Sequence, residues 1–207
     1  MSVDSKARIL CEYIDSLRNF SYVEPEPLHR HMGAIMTDAI LQSGLNFETV
    51  VKPRVQKILN NHPEAATTSG FLKTIEKTGL NALLDWRDPE KPRRILEVTK
   101  LFAREGVETQ DQLKVWLENG ENGAKLDAVK GVGNKTLDYF RFLSGIPTTA
   151  VDRHLLNFLK KAGVSVRGYD EAKHVINRAA DIMEKDRCCL DQSIWTYMSK
   201  KRALHNR

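Results

Sequence analysis

Several features that would define other classes of protein are missing from this 207-residue sequence. Its three cysteines, Cys11, Cys188 and Cys189, are too few for a disulfide framework or a four-cysteine metal site. No apolar run approaches the roughly 20 residues that a membrane-spanning helix needs. The N-terminus carries charges where a secretory signal has an apolar stretch. We therefore expect an intracellular protein without membrane contact, in the cytoplasm or nucleoid if the source is prokaryotic.

Positive charge is concentrated in the last quarter of the chain. Hydrophobic residues make up 41% and charged residues 29% of the sequence, which is typical of a folded domain. Residues 151–207 contain twelve Lys or Arg and seven Asp or Glu, so they hold the whole net charge of +5. This distribution suits a polyanionic partner. A solvated basic face without a partner would have the same composition.

Apolar residues recur at helical spacing along most of the chain, and no alternating run between turn residues indicates a strand. The sequence therefore predicts an all-α fold. Pro53 falls inside one apolar stripe, so that helix is expected to be kinked or to start late. Gly120 to Gly123 indicates a loop.

Residues 124–145 predict two short helices joined by the tight turn Gly131-Val132-Gly133, with Asn134 opening the second helix. The glycines allow a phosphate to approach the backbone closely. The free N–H groups and the dipole of the following helix favour an anion there. These features indicate a helix-hairpin-helix motif, with Val132 as the apolar pin between its helices, which holds a nucleic-acid backbone without reading its sequence.

Two further residues make this pattern specific. Lys135 lies two residues after Gly133, and Asp152 follows seventeen residues later within Ala150-Val151-Asp152-Arg153-His154. The combination resembles the helix-hairpin-helix DNA glycosylase superfamily, the endonuclease III group in particular, whose members have Gly-Val-Gly-x-Lys followed by Val-Asp-x-His. The resemblance is strong over about 124–162 and weaker but collinear over about 32–120.

The resemblance implies an enzyme of base excision repair that flips a damaged or mismatched base out of double-stranded DNA and cleaves its glycosidic bond. Lys135 would attack the sugar and form a Schiff base, which permits β-elimination at the abasic site. Asp152 would stabilise positive charge on the sugar. Two alternatives remain open: a monofunctional glycosylase in which Asp152 activates water, and a non-catalytic, structure-specific DNA-binding module in which Asp152 only caps a helix.

The resemblance also implies contact residues and a cation site. The residues expected to contact DNA are Lys130, Gly131, Val132, Gly133, Asn134, Thr136 and Arg87. Asn46, Phe47 and Trp86 would line the base pocket, although Phe47 and Trp86 also suit core packing. The backbone carbonyls of Asp127, Val129 and Val132 would hold Na+ or K+. No other cofactor is expected, because the adjacent pair Cys188-Cys189 is incompatible with a four-cysteine iron–sulfur cluster.

The expected architecture consists of two helical subdomains flanking a DNA-binding cleft. Residues 32–146 form one subdomain, which includes the hairpin, and residues 1–31 with 147–207 form the other. Lys135 and Asp152 are expected to face each other across the mouth of the cleft. The protein is expected to act as a monomer.

Overall fold

The structure is a computed structural model that describes residues 1–24 and 28–205, with side chains up to Ser199. Its described residues form α-helices with short π-helical and 3-10 turns and contain no β-strand, which confirms the all-α class. The helices are α1 (Val3–Ser16), α2 (Met32–Leu41), α3 (Lys52–Asn61), α4 (Thr68–Thr78), α5 (Leu80–Leu84), α6 (Glu90–Arg104), α7 (Gln110–Glu118), α8 (Gly120–Asp127), α9 (Asn134–Leu143), α10 (Arg153–Lys161), α11 (Tyr169–Ile182) and α12 (Arg187–His205).

The chain divides into two compact units. Unit 1 comprises Met1–Pro27 and Pro147–Arg207, and unit 2 comprises Leu28–Ile146. Unit 2 thus begins before the boundary expected at residue 32. One reason is His31, whose Nδ1 accepts the Ala34 amide at 3.2 Å and whose Nε2–H donates to the His62 carbonyl at 3.0 Å. Burial lowers the pKa of His31, which agrees with the neutral ring that this bonding requires.

Helix α2 forms the centre of unit 2. All ten of its residues are buried, and α3, α4, α6 and α9 pack around it. Its mostly apolar sequence is suited to a helix that is covered on every side. Beside it, the Phe102 ring makes edge contacts with Trp116 and Phe140 at centroid distances of 5.4 and 5.6 Å. This apolar core supports the turn between α8 and α9 described below.

Unit 1 has its own core. Helix α1 packs along α11, and α12 packs against both α10 and α11. Phe158 on α10 is completely buried, and its ring lies 5.3 Å from Tyr13 and 5.9 Å from Phe20. Cys11, Cys188 and Cys189 are buried in this unit and form no disulfide with one another.

Pro53 determines where α3 begins. A π-helical turn spans Phe47–Val51, and Pro53 then occupies the first turn of α3. Proline is tolerated there because the N–H that it lacks would have no helical partner. Of the two outcomes expected at Pro53, a kink or a late start, the structure shows the late start.

The prediction of a loop from Gly120 to Gly123 is wrong, because these residues belong to α8. The Asn119 side chain accepts the Glu121 amide at 3.1 Å and thereby caps the helix. Gly123 allows α9 to approach closely, since an added Cβ would lie 3.3 Å from a methyl carbon of Leu137. Cap and packing together outweigh the low helix propensity of the two glycines.

Candidate functional site

Residues 128–133, which join α8 to α9 and are called here the Gly131 turn, are closed by backbone hydrogen bonds. The Val129 amide donates to the Leu126 carbonyl at 3.1 Å, and the Val132 amide donates to the Val129 carbonyl at 2.9 Å. The Val132 side chain is buried in the core of unit 2. Val132 therefore anchors the turn, in the position expected for the apolar pin.

The two glycines of the turn differ in what the fold requires of them. Gly131 has a φ of +84°, where side chains are disfavoured, and the Arg94 guanidinium occupies the place that a Cβ would take. Gly133 is extended, with a φ of −135°, and an added Cβ would meet nothing within 4 Å. Packing within the chain therefore requires glycine at Gly131, whereas Gly133 presents an open face that an external group can approach.

The first turn of α9 has no side-chain cap. The first amides of a helix lack carbonyl partners within it and lie at the positive end of its dipole. Asn134 is exposed and Lys135 is half-buried, and neither side chain forms a hydrogen bond or ion pair with a described residue. The Thr136 side chain is buried, so only the backbone of Thr136 is suited to contact an external anion.

Four cations surround this turn: Lys91 and Arg94 of α6, the exposed Lys130 of the turn itself, and Lys135. Lys91 Nζ donates to the carbonyls of Ile40 and Ser43 at 2.8 and 2.9 Å. Burial, followed by the neighbouring charges of Arg94 and Lys135, lowers the pKa of Lys91 to about 8. Lys91, Arg94, Lys130 and Lys135, called here the cation cluster, form no ion pair within the described part of the chain.

The sequence prediction did not include Lys91 and Arg94. A pattern that identifies them is present, because residues three apart share one face of a helix. On that helix Arg93 pairs with both Glu90 and Glu97, which leaves Arg94 without a carboxylate. Only the packing of α6 beside the Gly131 turn places them near Lys135.

Asp152 begins α10 in unit 1. Its Oδ1 accepts the amides of His154 at 2.7 Å and Leu155 at 3.1 Å, so Asp152 is the N-cap, as the sequence predicted. Its Oδ2 makes no hydrogen bond with the described residues. Lys135 belongs to unit 2, so the two residues expected to act together lie in different compact units.

The segment before Asp152 is held by side chains of α11 and α12. The Ala150 amide donates to Asp191 Oδ2 at 2.8 Å, and the Thr149 hydroxyl donates to Asn177 Oδ1 at 2.8 Å. The Cys188 thiol contacts the Thr148 carbonyl at 3.6 Å. These contacts fix the backbone that leads into Asp152.

The residues expected to line the base pocket take mainly structural positions in unit 2. The Asn46 side chain caps the π-helical turn by accepting the Thr49 amide at 3.0 Å. Phe47 and Trp86 are half-buried against the core of unit 2. The Trp86 ring is covered by the Arg54 guanidinium 4.9 Å away, and its buried indole N–H has no hydrogen-bond partner among the described residues.

Arg87, which is expected to contact DNA and lies outside the Gly131 turn and α9, is exposed and forms no hydrogen bond or ion pair with a described residue.

The carbonyls proposed for a monovalent cation belong to the end of α8 and the Gly131 turn. The Val129 carbonyl accepts the Val132 amide and keeps a second lone pair. Neutral carbonyl oxygens such as those of Asp127, Val129 and Val132 suit a hard monovalent ion. Among the described residues, no cluster of three or more His, Cys, Asp or Glu side chains is arranged to hold a metal ion.

About a third of the basic residues in the positive C-terminal region, Lys200, Lys201, Arg202 and Arg207, lie outside the described side chains. In the described part of the chain, no helix is both long and apolar enough to cross a membrane.

No curated protein and no solved structure matches the chain. A family model matches residues 9–199, and the chain therefore belongs to the family described as a domain of unknown function (DUF8548).

Proposed function

We propose that this protein is a DNA glycosylase that cleaves the N-glycosidic bond of a damaged or mismatched base and then cleaves the abasic site as a lyase. One observation carries the proposal: the Gly131 turn opens α9 with the unpaired Lys135 in its first turn, and Asp152 then caps the next helix. This order of elements is the one that the sequence shares with endonuclease III-like glycosylases.

The Gly131 turn contacts the DNA strand in this proposal. The open face at Gly133, the uncapped amides of α9 and the exposed Lys130 all suit a phosphate group. Phosphate contacts position a protein on DNA without reading sequence, as an enzyme that acts on scattered lesions requires. A Na+ or K+ ion held by the carbonyls of Asp127, Val129 and Val132 would strengthen this contact.

Lys135 is the nucleophile. Its neutral amine attacks C1′ of the sugar, the bond from C1′ to the base breaks, and the base leaves with a proton. The C1′–O4′ bond then breaks, O4′ takes a proton, and a Schiff base joins Lys135 Nζ to C1′. Loss of a proton from C2′ eliminates the 3′ phosphate, and water hydrolyses the remaining Schiff base. Lys135 has no ion pair with a described residue to break before it reacts.

Asp152 provides the negative charge. Two backbone amides orient its carboxylate through Oδ1, and Oδ2 is left without a partner among the described residues. A carboxylate fixed in this way is suited to stabilise positive charge on the sugar as the base departs.

A second candidate function is a non-catalytic DNA-binding module that uses the Gly131 turn alone. The capping bonds of Asp152 favour it, because they explain the presence of this residue without any chemistry. The cation cluster likewise suits phosphate contact without a reaction. A monofunctional glycosylase, in which Asp152 activates water and Lys135 contacts phosphate, would release the base but would not cleave the abasic site.

Reduction with borohydride during incubation with abasic-site DNA distinguishes these functions. The wild-type protein is expected to give a covalent adduct, because borohydride traps the Schiff base. Lys135→Gln is expected to give none. Lys130→Gln, in the same turn, serves as the matched control: it weakens DNA binding but forms the adduct at saturating DNA. Base release by Lys135→Gln without an adduct would instead support the monofunctional enzyme.

The base that is removed is best identified with a panel of duplexes, each carrying one modified or mismatched base. Release is measured before and after alkali, which cleaves abasic sites that a lyase has left intact. Binding without release from any member of the panel would support the non-catalytic module.

A further inference from the structure

Arg94 is held against the Gly131 turn by one of its nitrogens. Its Nε donates to the Lys130 carbonyl at 3.0 Å, and its guanidinium lies where a Cβ of Gly131 would be. The two terminal nitrogens form no hydrogen bond or ion pair with any described residue. Arg94 thus presents a fixed pair of donors that lacks an acceptor.

The neighbouring Arg93 shows the contrast. Its guanidinium nitrogens bond Glu90 and Glu97 on the same helix, and these carboxylates satisfy its charge. The charges of Lys130 and Arg94 act on Glu90, but its hydrogen bond is with Arg93. The carboxylates of α6 therefore leave the terminal donors of Arg94 unbonded, while the charge of Glu90 offsets part of the positive charge beside the turn.

Lys91 adds a second charge to this side. Its amine is fixed by the carbonyls of Ile40 and Ser43. Burial lowers its pKa most, and the charges of Arg94 and Lys135 lower it further. Like charges held close together repel each other, and a bound anion relieves that repulsion. The cation cluster is therefore better suited to an anionic ligand than to solvent alone.

We infer that Arg94 binds a phosphodiester group of the DNA strand through its terminal nitrogens, with Lys91 contributing charge beside it. This inference rests on the proposed function, because it extends the DNA contact of the Gly131 turn to helix α6. A planar guanidinium with two free donors matches two oxygens of one phosphate, which a lysine cannot do.

The test compares Arg94→Gln with Arg93→Gln in binding to a duplex that carries a stable abasic-site analogue, over a series of salt concentrations. Arg94→Gln is expected to weaken binding by about tenfold or more and to reduce the slope of log affinity against log salt by about one. Arg93→Gln removes the same charge but should leave both quantities near the wild-type values. Melting temperatures establish that both variants are folded.

Arg94→Lys keeps the charge and loses the paired donors. It should weaken binding while the salt slope stays near the wild-type value. This variant distinguishes the effect of bidentate hydrogen bonding from the effect of charge. It also provides a second measurement if Arg94→Gln disturbs the turn.

The outcomes separate this inference from the proposed function. Wild-type binding and slope in Arg94→Gln, with base release intact, would overturn the inference alone. DNA binding that depends on Arg94 but releases no base would support the inference and overturn the glycosylase. Affinity for inorganic phosphate without affinity for the duplex would overturn both.

Discussion

Asp152 contributes to the stability of α10 whether or not it takes part in catalysis, because its Oδ1 accepts two amides of the first turn. Asp152→Asn keeps this acceptor, and asparagine is about as good a cap as aspartate. We expect the free energy of unfolding to stay within about 0.5 kcal/mol of wild type while base release is lost. Urea unfolding and a glycosylase assay measure the two effects.

Asp152→Ala and Asp170→Asn complete this comparison. The alanine variant should lose base release and also about 1 kcal/mol of stability, since the cap is removed. Asp170 lies in the first turn of α11 and is not its N-cap, so Asp170→Asn is the charge-matched control. Wild-type base release in Asp152→Asn would contradict a catalytic role for the carboxylate.

Within the Gly131 turn, substitution of each glycine tests a different property. Gly131→Ala forces a side chain into a φ of +84° and displaces Arg94, so it should destabilise the protein by about 1–2 kcal/mol. Gly133→Ala adds a methyl group to open space, so its cost should be limited to the poorer N-cap preference of alanine, about 0.5 kcal/mol.

Gly133→Ala is nevertheless expected to weaken DNA binding, because its methyl group occupies the face that a phosphate approaches. Urea unfolding and DNA titration of both variants provide the measurement. Unchanged DNA affinity in Gly133→Ala would show that the strand does not approach this glycine.

The contact between α1 and α11 includes an ion pair that makes stability depend on pH. Lys6 Nζ lies 2.6 Å from Glu171 Oε1, and the Arg167 amide donates to Glu171 Oε2 at 2.7 Å. First the Lys6 hydrogen bond and then the Arg167 amide lower the pKa of Glu171 from its ordinary value of 4.5. The ionised carboxylate is therefore the form that stabilises the folded state.

The sign of the effect follows by linkage. A lowered carboxyl pKa stabilises the protein above pH 4.5, and this contribution is lost as the pH falls through the folded-state pKa. Glu171→Gln should be less stable than wild type at neutral pH, and its stability should fall less steeply below pH 4.5. Thermal melting across this pH range tests it, and parallel curves for the two proteins would contradict the assignment.

Because the two units have separate cores, thiol chemistry can monitor one of them. All three cysteines lie in unit 1 and are buried, and burial raises the pKa of Cys188 to about 12. Thiolates are the reactive species, so native alkylation near about pH 8 should be slow compared with alkylation in urea.

Phe158→Ala should accelerate this alkylation, because loss of a buried phenyl ring costs about 3–5 kcal/mol. Leu156 lies on the same helix and is 41% exposed, so Leu156→Ala is the matched control and should leave the rate unchanged. Equal rates in both variants would show that thiol reactivity does not report the opening of this core.

Local patterns in the sequence were sufficient to predict how several helices begin. The late start of α3 at Pro53 and the cap at Asp152 depend on residues within one turn of each other. The late start is one of the two outcomes expected at Pro53, and capping is one of the roles expected for Asp152. The prediction of a loop at Gly120 to Gly123 was wrong, because these residues become helical through the Asn119 cap and through contact with Leu137 of another helix. Two glycines close together thus do not reliably indicate a loop, because the close packing of two helices can also require glycine.

The amino-acid order alone specifies the all-α class, the Gly131 turn and the places of Lys135 and Asp152 at the starts of two helices, because periodicity, glycine geometry and capping are local properties. The contacts between residues that are distant in the chain depend on three-dimensional packing. It buries Thr136, packs Trp86 under Arg54 and brings Lys91 and Arg94 of α6 to a turn nearly forty residues away. Such contacts arise from how helices distant in the chain fill one core, and no short stretch of sequence encodes them.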